Sequence, residues 1–463
     1  MAASTFIRGV VEGFYGRPWS LRQRRQLFDW MRVWGLNTYL YAPKDDLKHR
    51  LLWRARYSRR EVSDFETVIR QCRSKGLQFI YAIAPGLDIV YSGSEDAAAL
   101  RRKTSQLLAL GCRRFAILFD DIQPTLSRAD ARAFDSLASA QAFVANRLLE
   151  FLRGKTRGAE LFFCPTAYCG RMSGPPRHSD YLKQIGNLLD PSIQVFWTGP
   201  EIVSRTIPVE SIRELQGALR RKPVLWDNLH ANDYDQRRVY LGPYAGRPVE
   251  LRAEINGILS NPNRELEANY IPLRTLAAYA RPGSRWNPRR AYQAALLGWL
   301  PRWQTHGPTR ISVADLQLLG DCFFLPFEFG PRAKALLEDL RVLQSRFPQG
   351  RRTLARRLDR TCSAVIGLFD RLTALKNRDL LYALYRQAWE LREEAVLVRR
   401  YIDWLEDRPR TGERFAAPEY SPGPFRGGLA AELQRLLPMD ERGRFGPPAR
   451  SGGPRHGNGS PAF

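Results

Sequence analysis

RRFAILFDD, residues 113 to 121, is apolar through its middle and ends in two adjacent carboxylates, Asp120 and Asp121. A continuous apolar run of this length reads as a strand covered on both faces, the habit of parallel sheets. Seven further runs have the same character: FIRGVVEGFYG (6 to 16), LNTYLYAP (36 to 43), LQFIYAIAP (77 to 85), ELFFCPTAY (160 to 168), IQVFWTG (193 to 199), KPVLWDN (222 to 228) and EINGILSN (254 to 261). Longer segments of helical character separate them. Eight strand-helix units over this length predict an α/β fold, a (β/α)₈ TIM-type barrel, in a domain spanning residues 1 to 305. A doubly wound open sheet is the alternative, but no GxGxxG or GxxxxGK[ST] turn follows the first run.

The polar residues fall at the ends of these runs. Lys44 and Asp45 follow the second, Asp120 and Asp121 end the fourth, Tyr168 the fifth, Asp227 and Asn228 the seventh, and Asn261 the eighth. Barrels of this kind place active sites at the C-terminal ends of their strands. One Asp or Asn there is explained by helix capping; five strands that share the feature point to a site.

Two adjacent carboxylates at the end of an apolar strand are costly to bury unless something uses them. Neighbouring side chains on a strand face opposite ways, so the pair converges only where the strand ends and the backbone turns. If one member stays ionised, it disfavours ionisation of the other, leaving one anion and one neutral acid. Glycoside cleavage requires that division. A divalent metal is the competing reading, with Asp45, Asp46, Asp233 and Asp235 as further oxygen ligands. No spacing matches a metal loop, the His residues form no HExxH, and no GxSxG elbow organises a serine nucleophile. Neither a metal nor an organic cofactor is expected.

At 463 residues the chain is long enough for a barrel and a second folded region. Six cysteines without a CxxC pair argue against a zinc site or a disulfide scaffold and fit a reducing compartment. The N-terminus lacks a basic segment followed by an apolar one, and no stretch is long enough to cross a bilayer, so a soluble, cytoplasmic protein is expected, with the nucleus also open to it. Lys and Arg exceed Asp and Glu by 25. The excess is spread along the chain without an aromatic-interleaved basic module, which reads as compositional drift rather than a nucleic-acid or membrane surface.

Beyond WNPRRAYQAALLGWLPRW (286 to 303) and the break QTHGPTR, a helical bundle is expected over residues 306 to 438. Ser312 with Asp315 forms a capping-box pattern, followed by Leu316, Leu319 and Phe323. Leu354, Leu358, Cys362, Val365 and Phe369 make one helical stripe; Leu381, Leu384, Ala388, Leu391, Ala395 and Val398 make another. A short helical run, LAAELQRLL (429 to 437), follows a Pro-, Gly- and Arg-rich stretch. Residues 439 to 463 have too little apolar content to pack and read as a disordered basic tail.

The segments GVVEGFYGRPW (9 to 19), NTYLYAPKDDLKHR (37 to 50), LFDDI (118 to 122), FCPTAYCG (163 to 170), WTGP (197 to 200), VLWDNLHANDYDQ (224 to 236) and LSNPN (259 to 263) closely resemble, in order, the catalytic domain of the O-GlcNAcase family, glycoside hydrolase family 84. LQLLGDCFFLPFEFGPRA (316 to 333) and FRGGLAAELQRLLP (425 to 438) resemble that family's helical stalk. The resemblance implies a retaining β-N-acetylglucosaminidase in which the sugar's own 2-acetamido oxygen attacks the anomeric carbon to form an oxazoline, an exception to the ordinary two-carboxylate scheme. It gives Asp120 the task of polarising the acetamido N–H, and Asp121 those of protonating the leaving oxygen and then activating water. It assigns the sugar to Gly13, Lys44, Tyr168, Trp226, Asp227, Asn228, Asp233 and Asn261. It also implies O-GlcNAc-modified proteins as partners. The apolar rhythm of the stalk helices reads either as core packing within the bundle or, the sharper expectation, as a homodimer through the stalk. Phe14, Tyr15 and Trp19 read as packing residues, and Cys164 and Cys169 as free buried thiols.

The chain departs from the family pattern in four ways. The long acidic insert between barrel and stalk is nearly missing, as is the acetyltransferase-like domain of the larger members, so a short form or paralogue is expected. Ala167 stands where an acidic residue is expected, and the composition is far more basic. Two other functions are kept in view: a hexosaminidase acting on free glycans, and a catalytically silent barrel that binds glycosylated or acidic proteins.

Overall fold

The computed structural model describes residues 6 to 283, 285 to 344, 351 to 407, 413 to 421, 426 to 440 and 443 to 445. Eight parallel strands close into a barrel in sequence order: β1 (Ile7–Glu12), β2 (Thr38–Tyr41), β3 (Gln78–Ile83), β4 (Arg114–Leu118), β5 (Glu160–Cys164), β6 (Gln194–Trp197), β7 (Val224–Asp227) and β8 (Gly257–Ser260). Each lies within an apolar run recognised in the sequence. Pairing of β1 with β8, Ile7 opposite Gly257 and Val10 opposite Ser260, completes the circle. Side chains alternate across each strand, so Ile7, Val11, Leu40, Ala82, Phe162, Phe196 and Leu259 fill the inside while their neighbours meet the outer helices.

Short polar signals start the outer helices. Ser20 and Gln23 make a reciprocal capping box for Leu21–Trp34, and Ser58 with Glu61 does the same for Arg59–Ser74. Such caps fix where each strand-end loop stops and therefore how much chain is left to shape the barrel mouth.

The chain divides into two compact units. The first runs to Trp299 and includes Leu325–Glu328; the second begins at Leu300. The second unit is helical: Val313–Cys322, Pro331–Leu343, Arg351–Thr373, Arg378–Glu406 and Gly428–Leu436. The Ser312–Asp315 capping box is formed, and the helix closes at Cys322, one residue before Phe323. Leu358, Cys362 and Val365 pack with Leu391, Ala395 and Val398 in one core, so the two stripes face each other as their spacing predicts.

Part of the stretch expected to be a disordered tail from residue 439 is packed. Met439 bridges to Phe445, and Phe445 is buried against Phe415 with ring centres 4.9 Å apart. An aromatic pair supplies apolar burial that the surrounding Gly, Pro and Arg residues lack. Residues 441, 442 and 446 to 463 of that stretch lie outside the described residues. Among the described residues, no helix is long and apolar enough to cross a membrane.

Candidate active site

The aspartate pair sits just past the end of β4, where the chain turns. Asp121 has φ +52°, one of two non-glycine residues with positive φ among those described. This left-handed conformation is uncommon for a residue with a Cβ, although Asp tolerates it better than most. It breaks the strand's alternation and lets both carboxylates serve the barrel mouth.

Asp120 is buried, with Oδ2 accepting from Lys44 Nζ. Its Oδ1 is also buried and has no hydrogen-bond partner among the described residues. Burial alone pushes this carboxyl upward, but the Lys44 ammonium, its hydrogen bond and the charge of Arg50 outweigh that and hold it below the usual carboxylate range. Asp120 is therefore an anion with one oxygen committed and one unsatisfied.

Both carboxylate oxygens of Asp121 are occupied. Tyr168 donates its hydroxyl to Oδ1 and Tyr15 donates to Oδ2, each at 2.9 Å. Burial, then the Asp121 charge, pushes both phenols well above their ordinary range, so they remain protonated donors. Arg50 adds a hydrogen bond at 3.0 Å to the Asp121 carbonyl.

The remaining residues expected at the site group unevenly. Trp226 belongs, with Tyr168, to the buried cluster that fills the barrel, and packs edge to face on Phe196 with ring centres 5.5 Å apart. Gly13 lies directly against it, since a Cβ at Gly13 would stand 2.4 Å from the Trp226 ring, and that close approach explains the glycine. Asn261 Nδ2 donates to Asn228 Oδ1 at 3.0 Å, Asn228 Nδ2 donates to the Ile202 carbonyl at 2.9 Å, and Asn261 Oδ1 is buried without a partner among the described residues. Asp233 accepts from the Tyr15 amide at 2.8 Å, and burial raises its pKa despite that bond.

Asp227 is not brought to the others. On β7, Val224 and Trp226 point inward, so Asp227 points outward by strand parity. Its carboxylate is fully buried and satisfied by Arg247 Nε (2.7 Å) and Nη2 (2.6 Å), the Tyr244 hydroxyl (2.7 Å) and the Leu229 amide (3.1 Å). The expectation that Asp227 touches the sugar is therefore corrected: it anchors the strand end that presents Trp226 and Asn228.

Phe14 and Trp19 pack edge to face at 5.1 Å, but Tyr15 departs from the packing role expected of it. It is 44% exposed, and its amide and hydroxyl link Asp233 to Asp121. No spacing connects residues this far apart in the chain; only its place after the first strand could have flagged it. The carboxylates weighed as metal ligands are committed elsewhere: Asp46 accepts from Tyr41 and Tyr57, Asp45 from the Gly16 amide, and Asp235 pairs with Arg237. Cys164 and Cys169 are buried and unpaired.

A family model described as beta-N-acetylglucosaminidase matches residues 8–303. Rat and mouse proteins described as Protein O-GlcNAcase are each 31% identical over 643 aligned positions, which cover 95% of this chain and 70% of theirs. That alignment is longer than this chain, so those relatives carry segments it lacks. Among solved structures, a Thermobaculum terrenum O-GlcNAc hydrolase mutant superposes with TM-score 0.77 at 29% identity, covering 86% of this chain and 83% of that one. An ionised Asp120 held on Lys44, a turned Asp121 held by two tyrosines and these matches converge: the chain is a glycoside hydrolase and belongs to the β-N-acetylglucosaminidase family that includes the protein O-GlcNAcases.

Proposed function

We propose that this enzyme removes β-linked N-acetylglucosamine from Ser and Thr of intracellular proteins by a retaining, substrate-assisted reaction. The observation that carries the reading is the unequal pair: Asp120 has a buried, unsatisfied oxygen on an ionised carboxylate, whereas Asp121 is turned out of the strand and oriented through both of its oxygens. Asp120 Oδ1 accepts the acetamido N–H and favours the positive charge that grows there as the acetamido oxygen bonds to the anomeric carbon. Asp121, protonated on an oxygen that gives up its tyrosine hydrogen bond, passes that proton to the departing Ser or Thr oxygen, then takes one from the water that opens the oxazoline. Lys44 holds Asp120 ionised. Trp226 and Tyr168 supply an apolar wall, Gly13 its backbone, and Asn228, Asn261 and Asp233 the polar groups that fix the sugar.

We further propose a homodimer formed through the helical stalk. Tyr382, Tyr385 and Trp389 are exposed along one face of Arg378–Glu406, and large apolar groups in such a row favour a partner. A monomeric sedimentation profile at micromolar concentration would argue against it. Six buried, unpaired cysteines suit the reducing cytoplasm and nucleus.

The test is turnover of aryl N-acetyl-β-glucosaminides by purified protein, with N-fluoroacetyl analogues beside them. A participating acetamido oxygen makes the rate fall with each added fluorine. No turnover at all supports the silent binder, and a rate indifferent to fluorine contradicts substrate assistance. Turnover of free chitobiose but not of O-GlcNAc glycopeptides supports the free-glycan hexosaminidase.

A further inference from the structure

The left-handed backbone at Asp121 persists only where its surroundings hold it. Part of that hold comes from Arg50, whose Nη2 donates to the Asp121 carbonyl at 3.0 Å. The Arg50 guanidinium also stands 6.0 Å from the centre of the Tyr15 ring, and Tyr15 is one of the two phenols bonded to the Asp121 carboxylate. Arg50 thus reaches both the backbone and one side-chain partner of the same aspartate.

Its own position is fixed. The preceding residue, His49, is fully buried; its Nδ1 donates to the Ala82 carbonyl at 2.8 Å, and its carbonyl accepts from the Ala84 amide at 2.9 Å. Burial, then the nearby Lys44 charge, lowers His49 to about 4, so the ring is neutral and its Nδ1–H bond persists at neutral pH. The loop that carries Lys44 and Arg50 is therefore sewn to the end of β3, beside the strand that ends in the aspartate pair.

We propose that Arg50 is a positioning residue for proton transfer: it clamps the Asp121 carbonyl and keeps the carboxyl aligned with the departing oxygen. The inference rests on Asp121 being the acid. In that step the bond from anomeric carbon to leaving oxygen breaks as the acetamido oxygen bonds to the anomeric carbon. The Asp121 proton moves to the leaving oxygen, and Arg50 keeps all of its own. Arg50 need not touch the sugar, so its removal is felt where protonation matters most.

The experiment measures kcat/KM for Arg50→Met and Arg50→Lys across aryl N-acetyl-β-glucosaminides of graded leaving-group acidity, with Asp121→Asn in parallel and Tm for each variant. Misalignment of a proton donor predicts that Arg50→Met loses about thirtyfold on the poorest leaving groups and under about threefold on the best, a steeper dependence than wild type. Arg50→Lys, which keeps a charge and a donor, recovers most of that loss. Equal losses across the series, or no loss, overturn the proposal, and a folding defect gives that same uniform loss together with a lower Tm. If Asp121→Asn is selective and Arg50→Met is uniform, only the Arg50 inference falls; if Asp121→Asn is itself uniform, the acid assignment falls first.

Discussion

The barrel mouth and the helical stalk each bury a carboxylate with an unsatisfied oxygen, yet the two behave in opposite ways. In the barrel, burial acts against Asp120, but Lys44 and Arg50 hold it ionised. In the stalk, Glu394 is fully buried; Tyr420 and Arg426 both bond Oε1 while Oε2 has no partner among the described residues. There burial outweighs Tyr420 and Arg426, the neighbouring charges of Glu393 and Glu390 add to it, and the carboxyl rises to about 7. An orphaned buried oxygen is therefore not by itself the mark of a reactive group. What distinguishes Asp120 is that cations keep the charge in place where strand ends converge.

The largest effect that sharpens this contrast is loss of the Asp120 charge. Asp120→Asn should lower kcat/KM about 10²- to 10³-fold on every aryl glycoside, since a preorganised group facing developing charge is removed. Glu394→Gln should leave that activity within about twofold, as expected of a substitution outside the barrel unit that carries the site. A comparable loss from Glu394→Gln would break the comparison.

Next is Asp227→Asn, which leaves Arg247 buried without its counter-charge. Breaking one partner of such a pair costs about 3–5 kcal/mol, read as a large fall in chemical or thermal midpoint. KM should rise as well, because Trp226 and Asn228 flank the anchor. A variant with wild-type stability and a raised KM would return Asp227 to the sugar.

A smaller, two-signed effect concerns pH. Burial lowers both His49 and His230 to about 4, so the unfolded barrel binds more protons between about 6.5 and 4, and its stability falls as pH drops through that window. Glu394 has the opposite sign. Its folded pKa of about 7 exceeds the unfolded value near 4.5, so its contribution is full below about 4.5 and lost as pH rises through 7. Hydrogen exchange followed strand by strand and helix by helix should show barrel amides weakening toward acid and stalk amides weakening toward neutrality, with Glu394→Gln flattening only the stalk trend. The smallest effect is Tyr15→Phe, for which about a tenfold loss of kcat is expected from one lost hydrogen bond to a charged group, worth about 1.5 kcal/mol. An unchanged kcat would return Tyr15 to a packing role.

Much of the barrel was legible because parallel strands are covered on both faces and read as unbroken apolar runs whose polar ends stand out. The stalk stripes were legible because their helical spacing survives packing. Asp227 was misplaced for a reason also present in the sequence: Val224 and Trp226 share the inner face of β7, and Asp227, the next residue, faces the other way. Its partner Arg247 could not be foreseen, because it lies in a later loop and no spacing ties it to Asp227. Tyr15 and Arg50 were hidden likewise, since loops carry no periodicity and their hydrogen bonds to Asp121 depend on how three strand ends meet. In the tail, a single Phe445 packed on Phe415 outweighed the polar composition around it.

The central claim is that the two adjacent aspartates do different work, and the most direct test is the leaving-group dependence of Asp121→Asn set against Asp120→Asn. The account predicts that Asp121→Asn loses about 10²- to 10⁴-fold on leaving groups that need a proton and little on those that do not, whereas Asp120→Asn loses on all alike. Parallel losses for the two variants across the whole series would contradict it.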